Sequence, residues 1–320
     1  MKRHLLVTLS LFTATARGQN VFGVDTPRDA QHRAAERLRP QPIALRPDGR
    51  AGAERVLRLR VHATRDYAVV NARGRFQRVL QRVNRLAARW PGVRFEIAAF
   101  EEWSPRADAS SLEAVLDELR ASDAGDGADL VIGLVSGLSR FPASIDQAGM
   151  AYVPGKHFVL RGFEDLALHE WANAELPALF QGERDQVLDA RRNHFEEVLF
   201  LHEWGHSLGL PHVTRTTAIM SAAYRATETE MSTAEARLVE AALDSGPAGG
   251  PAHAEAVQKV MREMPEHTFK DAELVALFQD EPLAFEPGTK FAYCNSGYYL
   301  LGEIVAKASV ADLGRQIDAV

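Results

Sequence analysis

Cysteine is nearly absent: Cys294 stands alone in 320 residues, so no intrachain disulfide is available to hold the fold. No apolar run reaches the roughly 18 residues that a membrane-spanning helix needs, so no stable membrane insertion is expected. Basic runs are short and the formal net charge is −6, which removes the electrostatic case for a nucleic-acid partner. Internal repeats and low-complexity tracts are not evident. What is present is an ordinary globular balance, 46% hydrophobic and 25% charged, enough for one full domain and a smaller attachment.

The first residues read as an export signal. Lys2 and Arg3 form a positive start, Leu5 to Phe12 a short apolar core, and Ala14-Thr15-Ala16 an A-x-A cleavage site. Residues 1–16 are therefore expected to be a signal peptide cleaved near Ala16, which puts the mature protein in a secreted or bacterial periplasmic setting. Residues 17–54 are rich in Arg, Pro and Ala with little periodicity and read as a linker or short pro-segment.

The next stretch reads as an α/β layer. Val56 to Val61 alternates as a strand, and Phe76, Val79, Leu80, Val83 and Leu86 recur at helical spacing up to a Pro91-Gly92 stop. Val93 to Phe100 is a second strand, Leu112 to Leu119 a short helix, and Asp129 to Val135 an apolar run suited to a central strand. Gly149 to Val153, then Pro154-Gly155-Lys156, then His157 to Arg161 predicts a hairpin. Residues 162–192 form an acidic, partly helical connection that carries Trp171.

The chemistry is concentrated in His202-Glu203-Trp204-Gly205-His206-Ser207-Leu208-Gly209-Leu210-Pro211-His212. Asn193 with Glu196 reads as a capping box opening a helix through Phe195, Val198, Leu199 and Leu201. His202 and His206 at i and i+4 leave the same face one turn apart, as two nitrogen ligands of one tetrahedral zinc require. Glu203 stands beside them to act on a metal-activated water. Gly209 is free to take φ > 0 and turn the chain back, so that His212 reaches the same ion and a fourth position stays open. His194, two turns before His202, reads as a solvated or core residue, and His169-Glu170 lacks a second histidine because Asn173 stands there.

These eleven residues resemble the metzincin pattern H-E-x-x-H-x-x-G-x-x-H, followed by a Met-turn at Ala218-Ile219-Met220-Ser221. Among metzincins they look most like the matrixins, which share the H-S-L-G-L wording and a Tyr shortly after the Met, here Tyr224. The resemblance implies a zincin fold of the α/β (α+β) class. A twisted, mostly parallel sheet would carry an antiparallel edge strand, the active-site helix and a mainly irregular or helical lower subdomain. It further implies one catalytic zinc on His202, His206 and His212, with Met220 as an apolar floor. Tyr224 would belong to the substrate-pocket wall or the oxyanion site. Gly149, Met150, Ala151 and Tyr152 would form an edge strand pairing antiparallel with the substrate backbone. Protein or peptide substrates follow, cut by an endopeptidase with Glu203 as general base. Propeptide latency through a cysteine is not available upstream of Cys294. No pattern speaks to calcium or to oligomeric state.

Ser232 and Glu235 predict a capping box for a helix through Leu238, Val239 and Leu243, and Gly246 to Pro251 a breaker. The catalytic domain is thus expected over 55–245, with 246–320 as a linker and partial second segment. Around Tyr293 and Asn295 that segment resembles the Tyr-x-Asn region of serine hydrolases related to class C β-lactamases. No Ser in the chain has a Lys three residues on, so the S-x-x-K nucleophile of that family is missing and the segment is expected to be non-catalytic. A zinc-binding module that holds peptides without cutting them and a serine-hydrolase fragment are the two rival readings; Glu203 argues against the first.

Overall fold

Alternation in Val56 to Val61 produces β1 (Arg55–Ala63), and the apolar spacing that follows produces α2 (Ala72–Ala87). These are taken from a computed structural model that describes residues 26–46, 54–67, 71–108, 110–213 and 215–246, with positions 252, 253, 255, 256, 259, 286 and 289 beyond them. The proposed signal over 1–16 and the Tyr293–Asn295 region lie outside the described residues. The chain divides into two units, Met1–Ala254 and Glu255–Val320. The description that follows concerns the first.

The remaining elements are β2 (Val93–Glu102), α3 (Leu112–Ser122), β3 (Leu130–Leu138), β4 (Gly149–Ala151), β5 (His157–Phe163), α4 (Asp165–Glu175), α5 (Gln181–Ser207) and α6 (Thr233–Asp244). The strands form one sheet in the order β2-β1-β3-β5-β4. Pairings β1–β2, β1–β3 and β3–β5 are parallel, while β4 runs antiparallel to β5 at the edge. The fold is α/β, as the resemblance implied.

Period-two alternation sorts the two faces of the sheet. Val131, Val135 and Val159 join Leu112, Val115, Leu116 and Leu119 of α3 in one core cluster. From the other face, Phe158 and Phe95 pack edge-on against Phe200 of α5, at 5.7 and 4.9 Å, and Phe95 meets Trp204 at 5.2 Å. Phe200 and Trp204 are fully buried. Each aromatic side chain buried in this way contributes on the order of 2–3 kcal/mol, so the sheet holds the histidine helix by a continuous aromatic contact.

Two sequence expectations are corrected. Asn193 does not open the active-site helix, because α5 begins twelve positions earlier, at Gln181, and runs 27 residues. The Asn193–Glu196 pattern is overridden by helix formers before it, and Glu196 instead accepts from Arg82 of α2 at 2.7 Å, beside an Arg82–Glu197 pair at 2.7 Å. The stretch read as a linker contains α1 (Pro27–Leu38), opened by a Thr26–Asp29 capping box. Its Ala35 is buried against Leu176, Leu179 and Val187.

Candidate metal centre

The centre is built at the C-terminal end of α5. Leu208 still has helical dihedrals, and Gly209 then takes φ 93°, a left-handed conformation open to glycine at little cost. Gly209 N–H donates to the His206 carbonyl at 2.8 Å and Leu210 N–H to the Gly205 carbonyl at 3.0 Å. That is the paired bonding of a Schellman turn. The turn also orients a histidine, since His206 Nδ1–H donates to the Leu210 carbonyl at 2.7 Å.

His202 is held from further away. Its Nδ1–H donates to the carbonyl of Ile219 at 2.7 Å, the residue before Met220. Val213 N–H in turn donates to the Met220 carbonyl at 3.0 Å, which ties the chain after His212 to the same turn. Met220 is fully buried. Its sulfur fills the space beside Gly205: a Cβ there would stand 2.5 Å from Sδ. Glycine at 205 is therefore required by the close approach of the turn, not by helix geometry.

With both Nδ1 atoms donating, the Nε2 atoms of neutral His202 and His206 carry lone pairs, and both point at His212. His212 Nε2 lies 3.1 Å from His202 Nε2 and 3.0 Å from His206 Nε2. Two ligands about 2.0–2.1 Å from a tetrahedral zinc are about 3.3 Å apart, so the three nitrogens stand close to the edges of such a tetrahedron. Among the described residues, this is the group of histidine, cysteine and carboxylate side chains that converges on a metal-sized point. Burial, then the neighbouring histidines, holds His202 well below the usual 6.5, and burial with His212 brings His206 down to about 4. All three imidazoles are thus in the neutral, ligand-ready form at neutral pH. The donor set fits zinc.

Glu203 is buried, and its Oε2 has no hydrogen-bond partner. Burial first, and then the charge of Asp146, pushes its carboxyl well above the ordinary carboxylate range. It lies against the edge strand: a Cβ at Gly149 would stand 2.8 Å from Glu203 Cδ. The backbone of β4 therefore passes directly over the carboxylate. Arg161 N–H donates to the Ala148 carbonyl and Tyr152 N–H to the His157 carbonyl. In an antiparallel ladder the intervening residues Gly149 and Ala151 then direct their N–H and C=O groups to the open edge. Met150 and Tyr152 project the other way and pack on the α3 cluster. Tyr152 hydroxyl bonds Asp117.

Tyr224 is turned to His194. Nε2–H of His194 donates to the Glu228 carbonyl at 3.0 Å, which leaves Nδ1 to accept from the Tyr224 hydroxyl at 3.1 Å. The Tyr224 ring meets Phe195 edge-on at 4.7 Å, so the tyrosine is seated on α5. Desolvation brings His194 down to about 4 and takes Glu228 up to about 8. Asp146, absent from the sequence-level site, is the residue the fold adds: its Oδ1 lies 3.4 Å from His212 Nε2. No spacing rule links it to the histidine motif.

The matrixin family matches residues 97–240 of this chain, and the beta-lactamase family matches residues 206–319. The first match contains the whole histidine centre and the Met-turn. The second overlaps it from His206 to Glu240. No curated protein matches. Among solved structures, the chain is similar to archaemetzincin from Methanopyrus kandleri at 18% identity and TM-score 0.31, over 64% of this chain and 96% of that one. It is similar to metalloproteinase-II from Bacteroides fragilis at 15% identity and TM-score 0.36, over 66% and 60%. A chaperone-substrate complex is similar at 13% identity and TM-score 0.34, over 57% and 29%.

Proposed function

We infer that the matrixin-like segment is the catalytic part of a zinc-dependent metallopeptidase, with His202, His206 and His212 as the metal ligands and Glu203 as the general base. The observation that carries this reading is the convergence of three neutral imidazole nitrogens beside a buried carboxylate whose Oε2 has no protein partner. A structural zinc site has no use for such a carboxylate. When bound, zinc supplies Lewis-acid chemistry, acidifying water and polarising a carbonyl. The chain supplies the rest. Glu203 takes a proton at its carboxylate as water attacks and returns it to the leaving amine. The open N–H and C=O groups of Gly149 and Ala151 align the peptide backbone as an added antiparallel strand.

The reading extends to an endopeptidase acting on proteins or peptides. Residues 1–16 direct export, α1 together with residues 55–245 forms the catalytic domain, and the segment after it is without catalytic function. Glu203→Ala tests the core of this. Cleavage of an unstructured protein such as casein should fall by about 10²–10⁴-fold while one zinc per chain is retained. Full activity in that variant would refute the assignment.

A further inference from the structure

A second carboxylate faces the histidine centre without belonging to its motif. Asp146 sits in a 3₁₀ turn, Ile145–Gln147, just before β4. The turn is strapped to the segment after Met220: Ile145 N–H donates to the Ala222 carbonyl at 2.9 Å, and Tyr224 N–H to the Ala143 carbonyl at 3.1 Å. Ser144 forms a bridge with Ala223, and its hydroxyl reaches the Ala222 carbonyl and Asp146 Oδ2, both at 3.2 Å. Ile145 and Ala148 are fully buried on either side. The backbone that carries Asp146 is therefore fixed, while the side chain is 55% exposed. Its one ion-pair contact among the described residues is His212 Nε2, an atom that faces the metal position and is not free to neutralise it.

The position of Asp146 relative to a bound peptide follows from the strand. Glu203 lies against Gly149, which sets the reacting bond beside that residue. A peptide added antiparallel to β4 runs with its N-terminal part alongside Ala151 and Tyr152 and its C-terminal part toward Asp146. Resting on the metallopeptidase reading above, we propose that Asp146 determines specificity by accepting the cationic side chain of a lysine or arginine on the residue that follows the scissile bond. A half-exposed carboxylate held by its backbone, with no Lys or Arg partner among the described residues, loses little on taking such a partner, and charge complementarity of this kind selects among substrates.

The test uses zinc-loaded full chain and peptides with blocked ends that differ only at that residue, as Lys, Gln or Glu. Wild type should cut before Lys with kcat/KM about tenfold or more above Gln, with Glu lowest. Asp146→Asn should bring Lys and Gln together, and Asp146→Lys should shift the order toward Glu. A readout apart from turnover is peptide affinity in zinc-loaded Glu203→Ala. Lys should bind about tenfold tighter than Gln there, and the difference should vanish in Glu203→Ala/Asp146→Asn. Cleavage with no charge preference, or a preference that survives Asp146→Asn, overturns the proposal and leaves the metallopeptidase reading standing. Loss of zinc from Asp146→Asn overturns it as well. No cleavage of any peptide by zinc-loaded wild type defeats both.

Discussion

Gly205→Ala measures how far the Met-turn governs the centre. Gly205 lies inside α5, where alanine gains about 1 kcal/mol in helix propensity over glycine. Against that, the added Cβ would stand 2.5 Å from Met220 Sδ and 3.2 Å from its Cε. Met220 is fully buried and has no free side to retreat to; overpacking of this kind costs about 1–3 kcal/mol. The expected net effect is a loss of about 1 kcal/mol in apo-protein stability. The larger effect is on the metal. Moving Met220 moves Ile219, whose carbonyl holds His202 Nδ1 at 2.7 Å, and disturbing such an outer partner lowers metal affinity about 10–100-fold. Zinc affinity by competition with a chromophoric chelator, with thermal unfolding of the metal-free protein beside it, reads both. Met220→Ala in the same chain makes room for the methyl group and should recover part of the lost zinc affinity, a coupling that separate sites would not show. A Gly205→Ala protein that is more stable than wild type and binds zinc unchanged would show that the sulfur does not press on the helix.

Gly149→Ala should leave zinc binding intact and lower kcat/KM about 100-fold, because the new methyl group displaces Glu203 from the edge strand and a shift of about 1 Å in a reacting group costs that much. Steady-state kinetics beside a zinc titration checks it, and an unchanged rate would contradict the close approach. For pH, His194 is held down at about 4 and Glu228 up at about 8. The unfolded chain binds the His194 proton between pH 6.5 and 4 and the folded chain does not, so stability falls on acidification through that window by up to about 3 kcal/mol. The folded chain keeps the Glu228 proton between pH 4.5 and 8, so stability falls on raising the pH through that window by up to about 5 kcal/mol. Denaturant unfolding in the presence of chelator reads both, beside the contributions of His202, His206 and Glu203, whose shifts run in the same two directions. From pH 6.5 to 8 Glu228→Gln should lose less stability than wild type by about 2 kcal/mol, and an equal loss in the two proteins would clear Glu228 of responsibility.

Much of the layer was legible because its signals are local. Val56 to Val61, Leu112 to Leu119 and the hairpin around Pro154-Gly155 announce themselves by period and turn chemistry. Ser232 with Glu235 forms the capping box that their spacing predicts. The same local signal misled at Asn193 and Glu196, where the helix already under way and an arginine from α2 claimed both residues. In α1 the opposite happened. An Arg- and Ala-rich stretch with weak periodicity became a helix because Ala35 found a buried seat against Leu176, Leu179 and Val187.

The sequence by itself determined the two imidazoles one helical turn apart, the glycine that ends the helix, and the return of a third imidazole. All of these are set by the 3.6-residue period and one φ > 0 position within eleven residues. Only the tertiary structure decided that the Ile219 carbonyl would orient His202, that Met220 would need a glycine at 205, and that Gly149 would lie over Glu203. It alone brought Asp146 to His212. These pairs are joined by sheet order and by the strap from Ile145 to Ala222, and no periodicity connects residues that meet only because the chain has folded around a common core.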